Sequence, residues 1–189
     1  MGYWTSRGLR GSVLEELINL ANEQYEKTGI ALVQKIPTPI KPVEFDSKNH
    51  TITLGYFEKK STVDYIGLMQ GIPFCFDAKE TARHDLPFDN LHAHQVRFMQ
   101  DFDRQGGLSF LLVHYTEDDA YYLLPLETLL RYFVPGDEDE NLQAERKSGI
   151  RHVPRADFEE KYRIFMSENG RLNYLKAVLV YHAQKPGKC

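Results

Sequence analysis

The sequence predicts an α/β protein, a mixed central β-sheet flanked by helices. Amphipathic runs at helical spacing stand at 12–28, 91–105 and 172–183. Apolar or alternating runs of strand length fall between them. The order helix, several strands, helix, two strands, helices is that of a mixed sheet with helices packed on it. No linker and no internal repeat divides the 189 residues, so one domain over 1–189 is expected, long enough to bury a core.

The first helix runs from Ser12 to Thr28, with Leu14, Leu17, Ile18, Ala21 and Tyr25 on one stripe. Ser12 and Glu15 form an S-x-x-E capping box, and Gly29 stops the helix. Ile30 to Gln34 is a short strand. Prolines 37, 39 and 42 then hold a stiff, extended segment out of regular structure. Phe45 to Phe57 reads as a hairpin turning at Asp46-Ser47-Lys48-Asn49, and it projects from the body with the proline segment. Thr62 to Met69 and Ile72 to Lys79 are two strands around Gln70-Gly71.

Leu91 to Gln105 is a helix ended by Gly106-Gly107. Leu108 to Tyr115 is a strongly apolar strand, and Ala120 to Leu124 pairs back across Glu117-Asp118-Asp119. Leu126 to Phe133 is a short helix, Pro135 to Asn141 an acidic loop and 146–163 a basic stretch. Leu172 to Ala183 is the closing helix.

Hydrophobic residues are 42% and charged residues 26%, a globular composition. No apolar run approaches the ~18 residues of a membrane helix, and Met1-Gly2-Tyr3-Trp4 does not begin a signal segment. Cys75 and Cys189 are too few for a disulfide framework or a thiolate zinc site, so a cytoplasmic location is expected. The net charge of −4 and a pI near 6.0 argue against non-specific nucleic-acid binding. The charge is uneven: residues 61–120 hold 4 Lys/Arg and 10 Asp/Glu, a balance of −6, while each flanking third carries +1.

The middle third holds the candidate chemistry. With Gln70-Gly71 as a two-residue turn, Met69 faces Ile72, Asp64 faces Asp77 and Thr62 faces Lys79. The period of two places all four polar residues on one face. Directly opposed carboxylates repel by about 3 kcal/mol at an effective dielectric near 20. A divalent cation between them converts that repulsion into coordination. Lys79 can hold a water there or neutralise a phosphate. The D-x12-D-x-K spacing is that of metal-dependent nucleases. The rival reading leaves Asp64 in a loop, with Lys79 merely pairing Asp77.

Other candidates have structural rivals. His92 and His94, two apart on a helix, point to different sides, which argues against a shared ligand role. Gln95 is the better site neighbour. Glu80 alternates to the opposite face and reads as solvated, Tyr65 as packing and Cys75 as a small core residue. Arg146, Lys147 and Arg151 are either phosphate contacts or a solvated basic segment.

Several segments together resemble one family. They are Arg10-Gly11-Ser12-Val13-Leu14-Glu15-Glu16, Lys35-Ile36-Pro37-Thr38-Pro39-Ile40, Tyr56-Phe57 with Ser61-Thr62-Val63-Asp64-Tyr65-Ile66-Gly67, Phe76-Asp77-Ala78-Lys79-Glu80-Thr81, His92-Ala93-His94-Gln95, Arg104-Gln105-Gly106-Gly107 and Arg146-Lys147-Ser148. In this order they are similar to the motifs of the RecU-type Holliday junction resolvases, within the PD-(D/E)XK nuclease superfamily, over roughly residues 7–180. The resemblance implies a restriction-endonuclease-like core with a two-stranded stalk, here about residues 36–60. It implies a homodimer acting on four-way junction DNA with Mg2+ or Mn2+, one or two ions per subunit, and a recombinase or branch-migration protein as a further partner. By motif match the catalytic and metal-holding set is Asp64, Asp77 and Glu15 with Lys79, supported by Thr62 and Gln95. Glu15 keeps its rival role as the capping-box glutamate, and Glu16 is the alternative if the helix phase differs. Arg10, Lys35, Phe57, Lys59, Lys60, Arg146 and Lys147 would meet DNA, with Phe57 stacking on bases at the crossover.

Three features depart from the family pattern. Asp77 stands where the family usually has Glu, and Ser148 is followed by Gly149 before Ile150. The long basic N-terminal tail is reduced to Arg7 and Arg10, which fits the low pI. The expected function is metal-dependent junction resolution in DNA recombination and repair. The rivals are a non-cleaving junction-binding module and a branch or duplex nuclease of broader specificity.

Overall fold

The structure, a computed structural model, describes residues 13–57, 62–89, 91–135 and 150–185. Helix α1 (Val13–Lys27) buries Leu14, Ile18, Ala21 and Asn22. It ends where Gly29 takes φ +69° and the Ile30 amide donates back to the Tyr25 carbonyl. Ser12, the expected cap, lies outside the described residues.

Strand β1 (Leu32–Lys35) follows, then the hairpin of β2 (Ile40–Asp46) and β3 (Thr51–Phe57). This hairpin is a separate two-stranded sheet. Its turn is pinned by the Asp46 carboxylate, which accepts from the Lys48 amide and the Asn49 side chain, and by His50 at φ +51°. The expectation that prolines bar regular structure holds for 36–39 and fails at Pro42, which pairs with Gly55 inside β2. Both edges of a two-stranded ribbon face solvent, and register shifts beside Pro42 accommodate the missing donor. The hairpin therefore starts five residues earlier than expected, at Ile40 rather than Phe45.

Strands β4 (Tyr65–Met69) and β5 (Ile72–Thr81) turn through Gln70 at φ +48° and Gly71 at φ +86°, the two positive values of a type I′ turn. Their register, from Met69↔Ile72 to Tyr65↔Phe76, is the expected one. The strand itself begins at Tyr65 and not at Thr62, for a reason that belongs to the site below. A short β6 (Leu86–Pro87) leads to α2 (Ala93–Arg104), which crosses over to β7 (Leu108–Tyr115), parallel to β5. Strand β8 (Ala120–Pro125) returns antiparallel, and α3 (Leu126–Leu129) is shorter than the expected 126–133. Strands β9 (His152–Val153), pairing β6, and β10 (Arg163–Ile164), pairing β8, precede α4 (Tyr174–Gln184).

The main sheet is thus mixed, in the order β1-β4-β5-β7-β8-β10. Side-chain alternation splits the core into two layers. One face packs Phe74, Phe76, Phe110 and Leu112 against α1 and α4; the other packs Cys75, Leu111 and Val113 against Val96 and Met99 of α2. Tyr65, Phe76 and Phe110 stack across three strands, with centroids 4.8 and 5.1 Å apart. Gly67 makes room for the layer, since a Cβ there would lie 2.5 Å from the Phe74 ring.

Candidate active site

The chemistry-bearing residues meet where β4 enters the sheet. Asp77 lies on the α2 face of β5 with no exposed surface. One of its oxygens, Oδ1, accepts from the Asp64 amide at 3.0 Å and from Gln95 Nε2 at 3.0 Å. The other, Oδ2, makes no hydrogen bond and faces the Lys79 ammonium as an ion pair. The Lys79 side chain is 13% exposed. Gln95, 7% exposed on the first turn of α2, leaves its own Oε1 buried without a hydrogen bond.

Asp64 answers from the bend just before β4, outside the ladder, so the rival reading holds in that Asp64 lies off the strand and Lys79 pairs with Asp77. Asp64 Oδ2 accepts from the Ala78 amide at 2.9 Å, and the Asp64 carbonyl accepts from the Ile36 amide at 2.8 Å. Each aspartate carboxylate thus takes an amide from the opposing segment of the hairpin, in place of the ladder bonds that would have continued β4 toward Thr62. This is why the strand stops at Tyr65, and why the expected Thr62–Lys79 pairing is not part of the ladder. Thr62 is half-buried just before the bend. Burial pushes the Asp64 carboxyl up to about 6, the negative charge of Asp77 adds to the rise, and the Ala78 amide opposes it.

Such a pair fits a divalent cation on its own donor chemistry. The donors are hard carboxylate oxygens, one holds no hydrogen bond, and burial and then the charge of Asp77 raise the cost of ionising Asp64. Among the described residues no three His, Cys, Asp or Glu side chains group together as a ready metal cage. Mg2+ is commonly held by one or two carboxylates and otherwise by water and phosphate.

The other sequence candidates fall around this centre. Glu15, on the first turn of α1, pairs with Lys35 at 2.8 Å, and its carbonyl lies 3.5 Å from the Tyr65 hydroxyl, which donates to Asn19 Oδ1 at 2.9 Å. Lys35 stands opposite Tyr65 in the ladder, so Glu15 sits beside the start of β4. Glu16 is exposed. Phe57 closes the hairpin ladder opposite Ile40. Arg10, Lys59, Lys60, Arg146 and Lys147 lie outside the described residues. Arg151 is exposed, and its carbonyl takes the Phe88 amide at 3.1 Å.

Two expectations are corrected. His92 and His94 do not diverge: their rings lie 5.4 Å apart, nearly parallel. His92 is the residue before the helix, at φ −104° and ψ 135°, so helical spacing does not apply to it. Glu80 is not simply solvated. Its Oε1 accepts from the Leu14 amide and faces His114 Nδ1, each at 3.1 Å. No local signal marks that contact, because it depends on how β5 and β7 align across a crossover. Tyr65 packs as expected, and Cys75 is buried with its sulfur 3.3 Å from Ser109 Oγ.

The family model for Recombination protein U matches residues 9–179. A protein of Limosilactobacillus reuteri (strain DSM 20016) named Holliday junction resolvase RecU is 37% identical over 174 residues, 89% of this chain and 81% of that protein. One of the same name from Ligilactobacillus salivarius is 37% identical over 179 residues, 92% of this chain and 79% of that one. Among solved structures, the Holliday junction resolvase Hjc of Archaeoglobus fulgidus aligns with a TM-score of 0.45 at 13% identity, over 88% of this chain and 99% of that one.

Proposed function

The chain belongs to the RecU family, and from that premise we propose that it resolves four-way DNA junctions, hydrolysing a phosphodiester in each of two opposing strands. The observation that carries this reading is the buried opposition of Asp64 to Asp77 with Lys79 against the latter. A purely structural hairpin gains nothing from two carboxylates so placed.

A divalent cation, Mg2+ or Mn2+, would be held by Asp64 and Asp77 with Glu15 as a further carboxylate, roughly one or two ions per subunit, and when bound it supplies Lewis acidity to the scissile phosphate. The chain's own residues do the remainder. Gln95 and the Asp64 amide fix one oxygen of Asp77, which leaves only Oδ2 to exchange partners. Lys79, released from that oxygen, orients the attacking water or meets the charge that grows on the phosphate. Thr62 braces the bend that carries Asp64. The water oxygen bonds to phosphorus as the P–O3′ bond breaks in line, which leaves a 5′-phosphate and a 3′-hydroxyl.

Junction selectivity would come from shape. The β2–β3 hairpin suits a stalk: Ile40, Val43, Phe45, Ile52, Leu54 and Tyr56 are all about half exposed, an apolar surface fit for unstacked bases. Phe57 stands at its base, and Arg10, Lys35, Lys59, Lys60, Arg146 and Lys147 supply phosphate contacts. A homodimer would set two sites against two strands of like sequence. The described part of the chain has no helix long and apolar enough to cross a membrane.

The test is a labelled synthetic four-way junction beside linear duplex of the same sequence, in Mg2+ and in EDTA. Metal-dependent, symmetrical nicks confined to the junction are expected. Binding without nicks would favour a non-cleaving junction module, and equal cutting of linear duplex would favour a broader nuclease.

A further inference from the structure

A second charged cluster lies on the opposite face of the same strand. Glu80, three residues beyond Asp77, pairs directly with His114 of β7, which pairs directly with Tyr121 of β8. His114 is 6% exposed and stacks flat on Tyr121, centroids 4.2 Å apart. Its Nδ1 faces Glu80 Oε1 at 3.1 Å, and its Nε2 faces Asp119 Oδ1 at 2.9 Å. The Tyr121 hydroxyl donates to that same Asp119 oxygen at 2.8 Å. Both ring nitrogens thus face carboxylate oxygens, which fixes the ring and with it Glu80.

The oxygen of Glu80 that meets His114 also accepts the Leu14 amide at 3.1 Å. Leu14 lies in the first turn of α1, where backbone N–H groups have no partner within the helix. Glu80 therefore caps α1 from the sheet, 66 residues away in the chain. The next residue is Glu15. The Tyr65 hydroxyl donates to Asn19 Oδ1 one turn further along α1 at 2.9 Å and lies 3.5 Å from the Glu15 carbonyl, and the Glu15 carboxylate pairs with Lys35, beside the bend that carries Asp64. The start of α1 is thereby tied down at two points, Glu80 on one side and the β1–β4 end on the other.

We infer that Glu80 is a positioning residue for the reaction: held by His114 and Asp119, it anchors the first turn of α1 and so sets the position from which Glu15 would reach the Asp64–Asp77 pair. This rests on the reading of Glu15 as a further carboxylate of the site. Lys79 and Glu80 then divide the work of one dipeptide, one side chain serving the reaction face and the next holding the helix that contributes to it.

The experiment uses the full chain as wild type, Glu80→Ala, Glu80→Gln, Glu15→Ala and the double variant Glu15→Ala/Glu80→Ala. Hydrogen exchange along α1 is measured without metal, and nicking of a synthetic four-way junction is measured across a Mg2+ titration. Glu80→Ala should speed exchange in the first turn of α1 by about tenfold, with β5 and β7 unchanged. It should raise the Mg2+ needed for half-maximal nicking by about tenfold. Glu80→Gln, whose amide oxygen can still accept from Leu14, should recover most of both effects. In the Glu15→Ala background, Glu80→Ala should add less than about twofold. Wild-type exchange in Glu80→Ala would overturn the anchoring. A loss of nicking independent of Mg2+, or fully additive with Glu15→Ala, would overturn the link to the site. If Glu15→Ala leaves the Mg2+ requirement unchanged, the role of Glu15 fails, and with it the purpose assigned to Glu80, while the exchange data still judge the cap by itself.

Discussion

Two acidic clusters share strand β5 and differ in how their charge is met. On the α2 face, Asp77 opposes Asp64, and the nearest cation is the Lys79 ammonium. On the α1 face, Glu80 and Asp119 enclose one imidazole, with a tyrosine hydroxyl and a helix amide completing the set. The second arrangement satisfies its groups, and the Tyr121 hydroxyl and then His114 hold Asp119 below the usual carboxylate range. The first does not: Asp64 is pushed up to about 6 by burial and by its like-charged neighbour. A buried pair of like charges is where a cation would be favoured, whereas a network of complementary partners is a brace.

Substitutions on the two faces should therefore behave differently. The largest effect is expected for Asp77→Asn, which keeps the hydrogen bond from Gln95 but removes the charge. Nicking should fall about a thousandfold or more, with the circular dichroism spectrum retained. If activity survives within about tenfold, the α2-face pair is not the reaction centre.

His114→Ala should act in the opposite sense. Its removal empties a buried site against Tyr121 and takes a partner from Glu80, so urea unfolding should show a loss of about 2 kcal/mol while residual nicking persists. A variant as stable as wild type would mean that the back-face network braces nothing.

Asp64→Asn distinguishes the clusters through pH. A carboxyl raised from 3.8 to about 6 in the folded protein favours its protonated form there. Without metal its contribution is therefore most favourable below pH 4 and is lost as pH rises through about 6. Asparagine carries no such loss. The variant should gain about 2–4 °C in Tm over wild type at pH 8 and little at pH 4, both measured in EDTA. Mg2+ should then raise the Tm of wild type and not that of the variant. A destabilised variant at pH 8 would show that the pair is not strained.

The smallest effect is expected at the hairpin that carries the site. Gln70 occupies a left-handed position better suited to asparagine, so Gln70→Asn should stabilise by about 0.5 kcal/mol and leave nicking unchanged.

The face that holds Asp64 and Asp77 was largely legible from sequence because its geometry is local. Gln70-Gly71 fixes a two-residue turn, the turn fixes the register to Tyr65↔Phe76, and the next residue on each side, Asp64 and Asp77, meet just past the end of the ladder. The sequence could not show that the two aspartates exchange amides and end the strand early, since that choice depends on burial by α2. Gln95 was assigned to the right helix, but its bond to Asp77 exists only because the β5–α2–β7 crossover lays that helix over the strand. The brace leaves no signal in the sequence for the same reason. No turn sets the alignment of Glu80 with His114, and the capping partner of α1 lies 66 residues from it. Strands β6, β9 and β10 have two residues each, too few to leave a periodic signal. At Pro42 the bar on proline in strands does not hold, because a solvent-facing ribbon tolerates what a central strand would not.

The opposed aspartates are most directly tested by growing crystals in Mn2+ and locating the ion by its anomalous scattering. A peak in contact with both Asp64 and Asp77 is the expected result, with Lys79 drawn away from Asp77 Oδ2. Crystals of protein that nicks junctions, with no ion at that pair and Lys79 still closed on Asp77, would contradict it.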